Sequence, residues 1–170
     1  MKIALIGLGA IGSWLEARLD PKPVIIRRGD ALPMADVVVE VAGHGALAQY
    51  GVAALKQGSD LVITSIGALA DQALWLSLQQ AATCSKILLP AGAVAGIDAL
   101  AGIGFEKTEV RIIADPALTQ NVHVLEATGN FGTFTMTIAG RPLPSNPKSS
   151  SLTAMSLLRC IENRQSAIVL

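Results

Sequence analysis

The sequence is poor in charge and has no excess of either sign. Of its 170 residues, 13 are Lys or Arg and 13 are Asp or Glu, so the formal net charge is zero. Proteins that bind nucleic acid usually carry a basic patch, so we expect no nucleic-acid partner. The two cysteines, Cys84 and Cys160, lie far apart without CxxC or Cys/His spacing, so we expect neither a disulfide framework nor a metal site.

Long apolar runs are also lacking, although 51% of the residues are hydrophobic. No stretch reaches the roughly 18 uninterrupted apolar residues of a membrane-spanning helix, so we expect no membrane partner. The opening Met1-Lys2, with a short apolar run that leads into glycines, does not resemble a cleavable signal peptide. These features predict a cytoplasmic protein of one domain, with at most a small second lobe.

The first hundred residues alternate short β-branched runs with segments of helical periodicity, which is typical of βαβ units and a buried parallel sheet. After residue 100, apolar and polar residues alternate, which predicts half-buried antiparallel strands. The expected fold class is α/β, with a Rossmann-type doubly wound parallel sheet in 1–100 and a smaller α+β lobe in 101–170. The predicted strands are 2–6, 23–27, 37–41, 61–64, 87–89, 110–113, 122–126, 131–138 and 166–170, and the predicted helices are 11–19, 45–56, 70–82 and 149–163, with a turn-rich connector at 141–148.

A glycine-rich motif, Gly-Leu-Gly-Ala-Ile-Gly at 7–12, follows the first predicted strand and opens the first predicted helix. Gly7 permits a tight turn, Gly9 lets the backbone approach a pyrophosphate, and Gly12 lets the helix pack close to the strand. The helix N-terminus adds N–H donors and a partial positive charge. In this context the motif favours dinucleotide binding over a turn without a ligand.

The end of the second predicted strand bears on the choice between NAD and NADP. It reads Arg27-Arg28, with Asp30 two residues on. An acidic residue at this place binds the ribose 2′-hydroxyl, whereas an arginine accepts a 2′-phosphate. The two arginines favour NADP or use of both cofactors, and a solvated strand end is the alternative.

Several further blocks of sequence occur in a specific order. These are Val-Glu-Val-Ala-Gly-His at 39–44, Ser-Ile-Gly-Ala-Leu at 65–69, Leu-Pro-Ala-Gly-Ala-Val-Ala-Gly-Ile-Asp-Ala-Leu at 89–100, Ala-Asp-Pro at 114–116, Asn-Val-His at 121–123 and Asn-Pro-Lys-Ser-Ser at 146–150. With the glycine loop, they make the chain resemble the L-aspartate dehydrogenases over nearly its whole length.

The resemblance implies oxidation of L-aspartate to iminoaspartate with NAD or NADP as cofactor. The product feeds pyridine nucleotide biosynthesis or hydrolyses to oxaloacetate and ammonia. It also implies a cytoplasmic homodimer, with catalysis and dimerisation in 101–170, and His123 as the catalytic residue. The implied cofactor contacts, with those of the glycine loop, are Gly7, Gly9, Ala10, Ile11, Gly12, Ala42, Gly43, Ser65, Gly67 and Ala93, and the implied substrate contacts are Asn146, Lys148, Ser149 and Ser150.

The chemistry of the residue types agrees with these roles. Hydride leaves the α-carbon of an amino acid only when the amine is neutral, and histidine is the natural base near neutral pH. His44 ends a strand where ligands collect in open α/β sheets, which makes it a candidate substrate contact or a polar residue at a helix start. Lys148 and the N–H groups of 149–151 could bind a substrate carboxylate; equally, Ser and Asn could cap the last helix, with Pro147 in its first turn.

The chain is shorter than typical members of the family, and the shortage is local. Only nine residues separate Arg27 from Val37, too few for a crossover helix, so the sheet would lack a covering helix on one face. A second shortage falls at the junction of Leu100 and Ala101, where the family continues with much of its second sheet. Residues absent from the printed sequence, a shortened protein, and a degenerate relative that binds cofactor without catalysis are the open explanations. A related dehydrogenase with another substrate is a further alternative, because fold does not fix substrate.

Overall fold

A computed structural model describes residues 1–94 and 107–167, which form two compact units. The first unit comprises Met1–Pro90 and Ala154–Leu170, and the second comprises Ala91–Thr153. The expected division into 1–100 and 101–170 therefore differs from the observed one, because the last helix belongs to the first unit. The junction of Leu100 and Ala101 lies outside the described residues, as does most of the predicted strand 166–170.

The first unit is built on five parallel strands in the order β2-β1-β3-β4-β5. Three of these strands are completely buried runs, which explains their near-continuous apolar sequences. The elements are β1 (Ile3–Ile6), α1 (Ala10–Glu16), β2 (Val24–Ile26), β3 (Val37–Glu40), α2 (His44–Lys56), β4 (Asp60–Ile63), a 3₁₀ helix (Ile66–Ala70), α3 (Gln72–Ala81), β5 (Ile87–Leu88) and the C-terminal helix α4 (Ser151–Glu162). The α/β fold and the parallel sheet predicted from the sequence are confirmed.

Successive residues of each strand point to opposite faces of the sheet, and both faces are covered. One face packs on α2 and α3, and its buried residues include Ala4, Ile6, Val38, Leu61, Ile63, Leu47, Leu55 and Leu78. The other packs on α1 and α4, and its buried residues include Ile3, Leu5, Val37, Val39, Val62, Leu15, Leu157 and Ile161. The sheet is therefore doubly wound, and α4 supplies the cover that the short β2–β3 connection had led us to expect to be missing.

The connection between β2 and β3 contains no helix, as its length predicts. Two of its carbonyl groups accept hydrogen bonds from side chains that follow α2: Gln57 Nε2 donates to Pro33 O at 3.0 Å, and Ser59 Oγ donates to Ala35 O at 2.6 Å. Leu32 and Ala35 pack against the core on the same side. These two bonds therefore satisfy backbone acceptors of an irregular link that packs against the core.

The C-terminal helix is tied to the sheet by polar as well as apolar contacts. Arg164 forms an ion pair with Asp60, which is only 5% exposed at the start of β4. Burial raises the pKa of the neighbouring Cys160 thiol, and the charge of Arg164 opposes this to a smaller extent. No helix of the described residues is long and apolar enough to cross a membrane.

The second unit contains two antiparallel hairpins. The long one pairs β6 (Asn121–Gly129) with β7 (Gly132–Gly140), and the short one pairs β8 (Pro142–Leu143) with β9 (Asn146–Ser150). The predicted strands 122–126 and 131–138 are confirmed, while the connector 141–148 forms most of the short hairpin. The predicted strand 110–113 was wrong: it pairs with no described strand, and Ile112 is 94% exposed.

Candidate functional site

Two glycines of the 7–12 loop are required by the packing of the backbone around it. Gly7 has φ +96°, and a Cβ there would lie 2.7 Å from Ala42 Cβ. A Cβ at Gly12 would lie 2.2 Å from Gly7 O. A side chain at either position would force apart α1, the loop after β1 and the loop after β3, so these glycines bring the three segments together.

Gly9 has a different environment, because a Cβ there would meet no atom of the described residues within 4 Å. It precedes α1, and no side chain in the part of the chain that the structure describes caps this helix. Open space beside uncapped backbone N–H groups suits the approach of a pyrophosphate, so the residues present fit a dinucleotide. Ala10, Ile11 and Gly12 form the beginning of α1 next to this space.

A first cleft of about 520 Å³ opens at the C-terminal ends of β1, β2 and β3. β2 and β3 lie on opposite sides of β1, so the order of the strands reverses at this cleft. Open α/β sheets bind their ligands at such a reversal. Five predicted cofactor residues line the cleft: Gly7, Arg27, Arg28, Ala42 and Gly43. His44, predicted as a substrate contact, also lies here.

The two arginines stand on a turn that α2 holds in place. Asp30 N donates to Arg27 O at 3.1 Å, and Gly29 between them has φ +90°. The buried Tyr50 hydroxyl contacts Arg27 O at 3.3 Å and Asp30 O at 3.0 Å. Tyr50 was not predicted from the sequence, where its only signal is that it is the one tyrosine of the chain, on the buried face of a helix.

A second missed residue, Glu40, organises the loops after β3 and β4. Its side chain is completely buried. Oε1 accepts hydrogen bonds from Ala42 N at 2.8 Å, Gly43 N at 2.7 Å and Ser65 Oγ at 3.0 Å, and Oε2 accepts one from Ser65 N at 3.1 Å. A carboxylate with four donors is well suited to burial, so Glu40 fixes both loops beside the first cleft. The signal in the sequence was a single charge at the end of the buried run 37–41.

The predicted cofactor contacts Ser65 and Gly67 touch residues beside the first cleft but do not line it. Ser65 is bonded to Glu40, and Gly67 lies under the imidazole of His44, whose Nε2 is 3.1 Å from the position a Cβ of Gly67 would take. Neither residue lines the cleft itself. Ala93 belongs to the second unit, in the turn where Val94 N donates to Ala91 O.

A second cleft of about 540 Å³ lies within the second unit and contains His123. His123 is half-buried on β6 and pairs with Ile138 of β7. Ser149 and Ser150, two predicted substrate residues, line the same cleft. The structure therefore brings the proposed base and two hydroxyl groups into one concave site.

Asn146 and Lys148 shape this region without lining the cleft. Asn146 Oδ1 accepts from Lys148 N at 3.0 Å, and its Nδ2 donates to Ser149 Oγ at 3.2 Å.

Pro147 lies in β9 and not in the first turn of the last helix, which corrects that part of the sequence interpretation. The helix begins at Ser151, and Ser150 Oγ caps it by accepting from Leu152 N at 3.2 Å. Ser151 N donates to Arg141 O, so it is not available to a substrate carboxylate.

Comparison with known proteins gives two family matches. A family described as "Aspartate dehydrogenase, C-terminal" matches residues 93–164, and one described as "Homoserine dehydrogenase, NAD binding domain" matches residues 16–89. The chain is similar to an L-aspartate dehydrogenase of Polaromonas, with 31% identity over the full length of both chains. It is also similar to an L-aspartate dehydrogenase of Pseudomonas aeruginosa, with 30% identity over 99% of each chain.

A solved structure gives a fold match. The crystal structure of an aspartate dehydrogenase from Thermotoga maritima aligns with a TM-score of 0.75 and 20% identity, covering all of this chain and 99% of that one.

Proposed function

The chain belongs to the L-aspartate dehydrogenase family, and from this premise we propose that it oxidises L-aspartate to iminoaspartate with NAD or NADP. The observation that carries the proposal is the first cleft, which lies at the reversal of strand order and is lined by Gly7, Ala42 and Gly43. Iminoaspartate then hydrolyses to oxaloacetate and ammonia, or enters pyridine nucleotide biosynthesis.

The cofactor would be held in the first cleft by backbone groups of Gly7 to Gly12 and of Ala42 and Gly43. The bound nicotinamide supplies the acceptor for the hydride from the substrate α-carbon. Glu40 keeps Ala42 and Gly43 in place through two of its hydrogen bonds, and its other two bonds tie it to Ser65. Tyr50 does the same for the turn that carries Arg27 and Arg28.

His123 acts as the base. A ring nitrogen of its neutral imidazole takes a proton from the substrate ammonium group, which leaves a lone pair on the amine nitrogen. As the hydride departs from the α-carbon, this pair forms the C=N bond of the iminium product. Water then adds to the imine carbon and ammonia leaves. Ser149 and Ser150 line the same cleft and orient the substrate.

The direct test is an absorbance assay for reduced nicotinamide with purified protein, L-aspartate, and NAD or NADP in parallel. We expect reduction that needs both L-aspartate and the cofactor, with D-aspartate and L-asparagine as negative controls. Cofactor binding by calorimetry without any turnover would instead support a nucleotide-binding module. Turnover with a different amino acid alone would indicate a related dehydrogenase.

The proposal includes a preference for NADP or the use of both cofactors, supported by Arg27 and Arg28 in the first cleft. Changing both arginines to alanine should raise the KM for NADP by about 10- to 100-fold, because charge-assisted hydrogen bonds to the 2′-phosphate are lost. The KM for NAD serves as the internal control and should change little. An equal rise in both KM values would contradict selection of the 2′-phosphate.

A cytoplasmic homodimer completes the proposal. Both cysteines are free thiols, which is the state kept in reducing compartments. In the second unit Val110, Ile113 and Val124 are 78%, 80% and 59% exposed, and apolar surface of this kind suits coverage by a second copy. Light scattering should give a mass about twice the 17.6 kDa of one chain. A monomer mass at micromolar concentration would count against the dimer.

A further inference from the structure

The second cleft contains a cation, Arg141, that the sequence motifs did not single out. The charged residues that line this cleft are Arg111, Asp115 and Arg141. L-Aspartate carries two carboxylates, and a guanidinium binds a carboxylate through two parallel N–H donors. A dicarboxylic substrate in this cleft therefore needs an arginine whose guanidinium is not already bonded to another side chain.

Arg111 is already engaged by another side chain. Its Nε donates to Glu109 Oε1 at 2.8 Å, and both side chains are largely exposed. Arg141, in contrast, forms no side-chain hydrogen bond or ion pair with the residues that the structure describes. The carboxylate of Asp115 is also engaged, because its Oδ1 accepts from Ala117 N at 2.9 Å. Of the two arginines in the cleft, Arg141 is the one with its charge free for a ligand.

The backbone of Arg141 is fixed although its side chain is free. Its carbonyl oxygen accepts from Ser151 N at 2.9 Å, and the next residue, Pro142, pairs with Ser150. The preceding residue, Gly140, pairs with Asn121 of the strand that carries His123, and a Cβ there would lie 3.4 Å from Asn121 O. Arg141 is thus anchored between the strand of His123 and the strand of Ser149 and Ser150.

Lys148 is the competing cation, and its position is less suitable. It is exposed on β9, while its neighbours Pro147 and Ser149 line the cleft. Ser150 lines the cleft as well, whereas Lys148 is not among its lining residues. Lysine is also a single point charge, without the planar pair of donors that matches a carboxylate.

We infer that Arg141 is a substrate-binding residue whose guanidinium holds a carboxylate of the dicarboxylic amino acid in the cleft of His123. This inference rests on the proposed function, and it assigns the selection of dicarboxylic substrates to Arg141. Asp115, the acidic group of the cleft, disfavours anions there. A free cation offsets this effect and retains the substrate.

The test compares Arg141→Gln with Lys148→Gln in steady-state assays with L-aspartate at saturating cofactor. Arg141→Gln should raise the KM for L-aspartate by about 10- to 100-fold, as expected for a lost charge-assisted pair. The KM for cofactor should stay unchanged, and Arg141→Lys should fall between the wild type and Arg141→Gln because it keeps the charge without the fork. Arg159→Gln, an exposed arginine on α4 outside both clefts, is the matched control and should leave all constants unchanged.

A binding measurement separates this inference from the proposed function. Calorimetry with succinate and the reduced cofactor reports the affinity of the cleft for a dicarboxylate without turnover, and Arg141→Gln should weaken it by a similar factor. If the wild type turns over L-aspartate and Arg141→Gln alters neither its KM nor succinate binding, the inference is overturned. An increase in KM with Lys148→Gln alone would overturn it as well. A wild type without any aspartate-dependent reduction would refute the proposed function instead.

Discussion

Replacing His123 with alanine should lower kcat for L-aspartate by about 10²- to 10⁴-fold, the usual contribution of a general base. Without the imidazole, the substrate ammonium has no positioned acceptor for its proton, and hydride cannot leave the α-carbon of the protonated amine. The KM for cofactor should change little, because His123 is not among the residues that line the first cleft. Steady-state kinetics with L-aspartate and both cofactors measures each of these constants.

Two controls distinguish lost base catalysis from a structural effect of His123→Ala. His123 is half-buried on a two-stranded hairpin, so its removal should shift the melting temperature only slightly. Added imidazole should restore part of the activity, which a misfolded variant could not do. His44→Ala provides the comparison with the other histidine, since His44 lies in the first cleft and its loss should act on cofactor binding. Activity in His123→Ala within a few-fold of the wild type would refute the role of His123 as the base.

The features that the sequence predicted well are those fixed by local interactions. Buried runs such as 37–41 have only one suitable environment, the centre of a parallel sheet. Gly7 and Gly12 are required because a Cβ at Gly7 would clash with the loop after β3 and a Cβ at Gly12 would clash with Gly7. The spacing of the two glycines in the sequence was therefore enough to predict this loop. The hairpin of β6 and β7 follows from strict alternation and a two-residue turn at 130–131, after which Gly132 has φ +107°.

The features that the sequence did not predict depend on partners far along the chain. The β-branched run 110–113 has strand propensity, but a strand also requires a neighbour, and no described strand pairs with it. The amphipathic helix α4 could have covered either unit, and only the fit of Leu157 and Ile161 to the first sheet decides which. Glu40 looked like an ordinary strand end because its partner Ser65 is 25 residues away.

The second large effect is expected at Glu40. In Glu40→Gln, the amide oxygen can keep the donors of Ala42, Gly43 and the Ser65 hydroxyl, but the amide NH₂ then faces Ser65 N–H, a donor against a donor. We expect the free energy of unfolding to fall by about 1–3 kcal/mol, the cost of one unsatisfied buried group. Chemical denaturation followed by circular dichroism measures this difference. Glu162→Gln, which changes an exposed carboxylate on α4, is the matched control.

The same change should weaken cofactor binding more than its effect on stability alone would suggest. Ala42 and Gly43 line the first cleft, and Glu40 is the group that holds both of their N–H donors in one orientation. Without this orientation, cofactor binding must also order the loop of Ala42 and Gly43, which lowers the net free energy of binding. The Kd for NAD should therefore rise by about 10-fold even where the variant is fully folded. Calorimetric titration well below the unfolding transition measures this change in Kd separately from the loss of stability. An unchanged Kd in a destabilised Glu40→Gln would show that Glu40 supports the fold without positioning the cofactor loops.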